Sequence, residues 1–154
     1  MRLKLNIEYA SNESVVPKRG TIMQWVQAAM EGYERDGAEV GVRIVDEEEI
    51  VELNRRFRYK SEPTNVLSFP FEDPPGVRTE LLGDVVICAP VVCREAHARG
   101  AQTSAHWAHM LVHGIMHLRG YDHQTPAEAE AMEGIEARIL KRLGFPNPYA
   151  RPER

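Results

Sequence analysis

The sequence predicts an α+β fold: a small mixed four-stranded sheet packed with about five or six helices, in a single domain. Three observations lead there. Apolar residues alternate in short stretches, as they do in half-buried strands. Elsewhere they recur every three to four residues, as they do in helices with one buried face. The stretches follow one another as β-α-β-α-β-β-α-α-α, with no repeat and no linker that would divide the chain. A length of 154 residues suffices for one core, so residues 1–154 are expected to form one unit, with 147–154 as a frayed tail.

Leu3, Leu5, Ile7 and Tyr9 alternate as the first strand. After a loop around Pro17, the residues Ile22, Trp25, Val26, Ala29 and Tyr33 fall at helical spacing between Thr21 and about Arg35, with Gly37 as the stop. Val40, Val42 and Ile44 form the second strand, and Asp46 with Glu49 three residues on is a capping pair that opens a helix to about Phe57. Leu67, Phe69 and Phe71 alternate again, and Pro70 among them marks an edge strand or a bulge. Leu82 to Cys88 is mostly apolar, as suits a strand covered on both faces. Pro90 fits the first turn of a helix ending at Gly100, and the next helix opens at Thr103 or Ser104. The last helix has Thr125 as its cap, Pro126 in first position and Glu128 completing a capping box. Met132, Ile135, Ile139 and Leu143 make its apolar stripe, and Gly144 with Pro146 ends it.

Composition narrows the function classes. A chain 43% hydrophobic and 27% charged has an ordinary globular balance, and no apolar run approaches the roughly 20 residues that cross a bilayer. The N-terminal strand acquires charge too early for a secretion signal, and two cysteines are too few for a disulfide framework, so a cytoplasmic location is expected. Cys88 and Cys93 fall in different elements and read as small buried hydrophobes. A net charge of −4 argues against a general nucleic-acid binder but leaves room for a local basic patch. Arg55-Arg56-Phe57-Arg58-Tyr59-Lys60 is such a patch.

The densest chemistry lies in His113-Gly114-Ile115-Met116-His117-Leu118-Arg119-Gly120-Tyr121-Asp122-His123. His113 and His117 are four apart, one above the other on a helix face. Gly120 suits the left-handed conformation that ends helices, so the chain can turn back and bring His123 beside them. Three imidazoles from a helix and the turn after it make an open metal site, the arrangement of catalytic zinc. The spacing matches the metzincin protease pattern H-E-x-x-H-x-x-G-x-x-H, in which the glutamate is the general base. Here that position is Gly114, so the ligands are present and the protease base is absent. His109, one turn before His113, is expected to support or pack, because a fourth ligand would close the site. Asp122 either orients a ligand or forms the turn. His97 and His106 read as ordinary residues.

Taken together, four segments resemble the YbeY family of bacterial endoribonucleases. They are Leu53-Asn54-Arg55-Arg56-Phe57-Arg58, Pro63 through Pro70, Leu82-Gly83-Asp84-Val85-Val86-Ile87, and His109 through His123 with its H-G-x-x-H-L-x-G-Y-D-H core. The resemblance covers roughly residues 40–145, with one departure at Phe57, where the family often has tyrosine. It implies a zinc ion on His113, His117 and His123, one per chain, although three imidazoles also bind nickel or another divalent metal. It implies a functional arginine at Arg58, which sequence physics alone would read as a plain helix-end cation. It further implies cleavage of single-stranded RNA in 16S rRNA 3′-end maturation and late ribosome quality control. Small-subunit ribosomal proteins and an assembly GTPase are the implied partners, with neither membrane nor DNA expected.

On this reading Arg55, Arg56 and Lys60 hold the RNA backbone and Arg58 meets the charge that develops on the phosphoryl group. Two alternatives belong to other classes. One is a zinc-dependent hydrolase of peptidase type, which needs a base from elsewhere. The other is a non-catalytic ribosome-assembly factor whose metal only supports the fold.

Overall fold

The computed structural model describes residues 2–35, 37–58 and 64–150. In chain order the elements are β1 (Arg2–Ala10), α1 (Arg19–Ala29), β2 (Gly37–Val45), α2 (Glu47–Arg58) and β3 (Val66–Pro70), then β4 (Leu81–Cys88), α3 (Ala89–Ala98), α4 (Thr103–Leu118) and α5 (Pro126–Arg142). The sheet order is β1-β2-β4-β3, with β1, β2 and β4 parallel and β3 antiparallel at the edge. This is the mixed four-stranded α+β domain that the sequence predicts. Helices supply the crossovers that parallel neighbours require. Pro70 closes β3, where its missing N–H costs no central ladder bond.

The end of α1 differs from the sequence reading, and β3 stops at Pro70, before the Phe71 that the alternation included. α1 ends at Ala29 instead of near Arg35, with Met30 as its C-cap and Gly32 at φ 82°. Tyr33 still packs against the core, now from the turn, which is why its spacing mimicked another helical repeat. Gly37 therefore opens β2 instead of stopping a helix. At the start of α2 the Asp46 carboxylate is taken by the Ser11 hydroxyl and the Asn12 backbone N–H, and Glu49 by Arg43. Tertiary partners replace the local pair read from the sequence.

The two faces of the sheet are covered unequally. Val40, Val42 and Ile44 of β2 and Val85 and Ile87 of β4 face the main core, which α1, α4 and α5 complete. Val86 and Cys88 face a smaller cluster with Ile50 of α2 and Leu67 of β3. α4 lies between the sheet and α5, with Trp107, Leu111, Ile115 and Met116 buried. Burial on nearly every side is what a largely apolar helix with few charges demands. It ends in a Schellman motif: the Tyr121 N–H bonds the Met116 carbonyl at 3.1 Å, the Gly120 N–H bonds the His117 carbonyl at 3.0 Å, and Gly120 takes φ 95°. α5 begins as the sequence predicts, with the Thr125 hydroxyl accepting from the Glu128 N–H at 3.1 Å and Pro126 in the first turn. Among the described residues no helix is long and apolar enough to cross a membrane.

Candidate metal centre

The helix-ending turn at Gly120 reverses the chain and brings His123 back to α4. One nitrogen from each of His113, His117 and His123 lies within 4.8 Å of the others, so these three side chains can hold a metal ion together. The Nε2 atoms of His113 and His117 are 3.2 Å apart. Burial pushes the His117 imidazole below its ordinary range, and neighbouring His113 and His123 push it the same way. A depressed value keeps it neutral, the form in which imidazole ligates metal. Asp122 folds onto the turn, its Oδ1 accepting from the His123 backbone N–H at 2.7 Å.

The missing protease base has a steric explanation. A Cβ on Gly114 would stand 2.7 Å from Val85 Cγ1 and 3.3 Å from Ser68 Oγ. The Ser68 hydroxyl also donates to the Gly114 carbonyl at 3.0 Å, pinning α4 to the edge strand. Helix and sheet meet here too closely for any side chain. A glutamate has no room at the position where the metzincin pattern requires one.

His109 does not join the three-histidine cluster. It is buried, and its Nε2 lies 3.1 Å from Glu136 Oε1 and 2.9 Å from the Tyr149 hydroxyl. Glu136 is the residue that sequence reasoning missed. It is 0% exposed, and its Oε2 accepts from His113 Nδ1 at 2.9 Å while the Tyr149 hydroxyl donates to its Oε1 at 2.6 Å. Burial alone would raise its carboxyl, but hydrogen bonds from His109, His113 and Tyr149 outweigh that and hold it down at about 2. Burial, and after it the same contact, pushes the Tyr149 hydroxyl well above its ordinary value. A sequence signal existed: Glu136 stands four after Met132 and three before Ile139, inside the apolar stripe of α5. His106 also turns out to be engaged, its Nε2 lying 2.9 Å from Glu95, whose carboxylate accepts from Asn65.

The histidines open onto a cleft of about 880 Å³ whose other wall is β3, with Phe57 and Phe69 at one end in edge-to-face contact, centroids 5.3 Å apart. Phe57 is 56% exposed, and α2 ends one residue later at Arg58. Of the basic patch, Arg55 pairs with Glu52 at 2.7 Å and the Arg56 guanidinium lies 5.6 Å from the Phe57 ring centroid. Lys60 lies outside the described residues, as does the side chain of Arg58.

Residues 6–144 match the family model described as Endoribonuclease YbeY. The chain belongs to that family. A curated relative from Methylococcus capsulatus, named Endoribonuclease YbeY, is 54% identical over 98% of this chain and 99% of its own length. Relatives of the same name from Halorhodospira halophila and Nitrosococcus oceani are 51% and 46% identical over 96% and 97% of this chain, and 96% and 98% of their own. The solution structure of TM1509 from Thermotoga maritima covers 94% of this chain and 99% of its own with a TM-score of 0.55. At 24% identity that likeness speaks for the family fold alone.

Proposed function

We propose that this chain is a metal-dependent endoribonuclease that cuts single-stranded RNA, acting in the cytoplasm in 16S rRNA 3′-end maturation and late ribosome quality control. The observation that carries the reading is the three-histidine cluster on an open cleft, in a chain of the endoribonuclease YbeY family.

Zinc, one ion per chain, fits the donor set. Three imidazole nitrogens within 4.8 Å of one another are a donor set that would hold zinc. Zinc when bound supplies a Lewis acid for a phosphate oxygen and a water of lowered pKa. The chain's own residues supply the rest. His113, His117 and His123 hold the ion from α4 and the turn after it. Arg58 hydrogen-bonds the negative charge that builds on the phosphoryl oxygens in the transition state. Arg55, Arg56 and Lys60 grip backbone phosphates, which makes binding weaken with salt. The Arg55–Glu52 pair does not oppose this, because an exposed ion pair is worth about 0–1 kcal/mol and yields readily to a phosphate. Asp122 lines the cleft and presents a carboxylate beside His123. Small-subunit ribosomal proteins and an assembly GTPase are the partners assigned on family likeness.

The packing at Gly114 stands against a peptidase of metzincin type, since that helix position has no space for the base. Cleavage of a labelled single-stranded RNA carrying the rRNA 3′ end tests the reading, comparing wild type with His113→Ala and Arg58→Ala. Metal content and folding are checked on each sample. Wild type should cut; His113→Ala should lose metal and activity, and Arg58→Ala should keep metal and lose turnover by at least about 100-fold. Equal cutting by all three would assign the activity to a contaminant and leave an assembly factor as the better description.

A further inference from the structure

We infer that Glu136 is the positioning residue of the metal centre: it fixes the tautomer and ring orientation of His113 so that Nε2 faces the other two imidazoles. The inference rests on the metal-centre reading above and adds a residue from a different helix to it. The two nitrogens of an imidazole are not independent, because a hydrogen bond at one decides which lone pair remains at the other.

His113 Nδ1 lies 2.9 Å from Glu136 Oε2, and His113 Nε2 lies 3.2 Å from His117 Nε2. A carboxylate can only accept, so the proton of neutral His113 sits on Nδ1 and the lone pair of Nε2 points into the cluster. The carboxylate is itself held. Tyr149 donates to Oε1 at 2.6 Å, and His109 Nε2 approaches the same oxygen at 3.1 Å, so Oε2 remains for His113. The backbone around Glu136 is equally constrained, because Met132, Ile139 and Leu140 of α5 are buried in the main core. An acid with 0% exposure in an apolar stripe is costly unless its partners satisfy it. Three donors do so here, and one of them is a residue of the metal cluster.

A role confined to folding would need the acid to compensate His109 only. The geometry instead divides its two oxygens, one to His109 and Tyr149 and one to His113. Ligand imidazoles oriented in this way by a carboxylate bind metal more tightly, and losing the partner typically costs 10–100-fold in affinity.

The test uses the full chain and Co²⁺ as the metal probe, with two readouts that need no RNA. In the metal-free wild type, long-range ¹H–¹⁵N spectra of the imidazoles should show His113 as the Nδ1–H tautomer, assigned by the signal's absence in His113→Gln. This measurement requires no substitution at position 136. In Glu136→Gln, which keeps an acceptor oxygen but not the charge, the Co²⁺ dissociation constant should rise about 10-fold; in Glu136→Ala, about 100-fold. The visible band of bound Co²⁺ should change in both, since it reports the ligand geometry. His113 in the Nε2–H form in wild type would overturn the inference, whatever the variants do. So would folded Glu136→Gln and Glu136→Ala proteins that bind Co²⁺ within two-fold of wild type with the same band. Failure of the wild type to bind Co²⁺ at all would sink the metal centre itself, a result distinct from either of these.

Discussion

α4 and α5 meet at the histidine cluster and contribute to it in opposite ways. α4 is buried on almost every side, and each turn of it carries a residue with a specific neighbour: His109 on Glu136, His113 on the same carboxylate, Gly114 on Val85 and Ser68. α5 is an ordinary amphipathic helix, buried at Met132, Glu136, Ile139 and Leu140, half-buried at Ile135 and exposed along its outer face. Both helices carry a glycine in mid-course, which in a helix costs about 0.5–1 kcal/mol relative to alanine. At Gly114 packing requires it; at Gly134 an added Cβ would meet nothing within 4 Å. The same residue type is thus a constraint in one helix and a tolerated weakness in the other. The helix that presents ligands has no slack, whereas the helix that supports them is specified only along one stripe.

The largest effect expected from this contrast is at Gly114. Gly114→Glu restores the letter of the protease motif but pushes a charged side chain into the seam between α4 and the sheet. Overpacking costs about 1–3 kcal/mol and an unpaired buried charge adds to it, so a loss of more than about 3 kcal/mol is expected in a urea or guanidinium titration. No peptidase activity should appear. A stable Gly114→Glu variant would mean that the seam opens easily, and the steric account of the missing base would fail with it.

The second prediction separates the two helices by pH. The Glu136 carboxyl is held at about 2 in the fold against an ordinary 4.5. A depressed carboxyl contributes stability that is complete above the unfolded value and is lost as pH falls through the folded one. Between about pH 4.5 and 2 the wild type should therefore lose stability on the order of 3 kcal/mol from this one group. Glu136→Gln should flatten that part of the acid limb. Ser68→Ala, which removes the 3.0 Å hydrogen bond to the Gly114 carbonyl, should instead lower stability by about 1 kcal/mol at every pH. Parallel acid limbs for wild type and Glu136→Gln would show that the α5 side of the site is not held by charge.

What the sequence disclosed follows the same division. Strands, helices and the sheet's edge were legible because alternation, helical spacing and Pro70 are local signals. The three histidines were legible because α4 and the Gly120 turn bring them together within eleven residues. Glu136 was legible only as an acid inside the apolar stripe of α5, and its role was not, because only the neighbouring helix turns it into an acceptor for His113. The reason for Gly114 was hidden for a related cause: the motif shows that a base is absent, but only the proximity of Val85 and Ser68 shows why. The overlong reading of the first helix failed because Tyr33 keeps helical phase from a turn, a coincidence that no local pattern exposes. The Asp46–Glu49 pair marked the start of α2 correctly, but not its own partners: Asp46 is claimed by Ser11 of the loop after β1 and Glu49 by Arg43 of β2.

The smallest effect is at Gly134, and it tests the comparison from its permissive side. Gly134→Ala adds a methyl group to an exposed position of α5 where nothing lies within 4 Å. The folded helix pays no steric penalty, and the unfolded chain loses freedom, so stability should rise by about 0.5–1 kcal/mol. Metal affinity should not change, because Gly134 is on the solvent side of the helix while Glu136 faces α4. Combined with Glu136→Gln, the substitution should recover only that fraction of the lost stability, about 0.5–1 kcal/mol, without restoring Co²⁺ binding. A double variant that regained both would mean that Glu136 serves the metal only by stabilising α5, and that the two helices differ less than their packing implies.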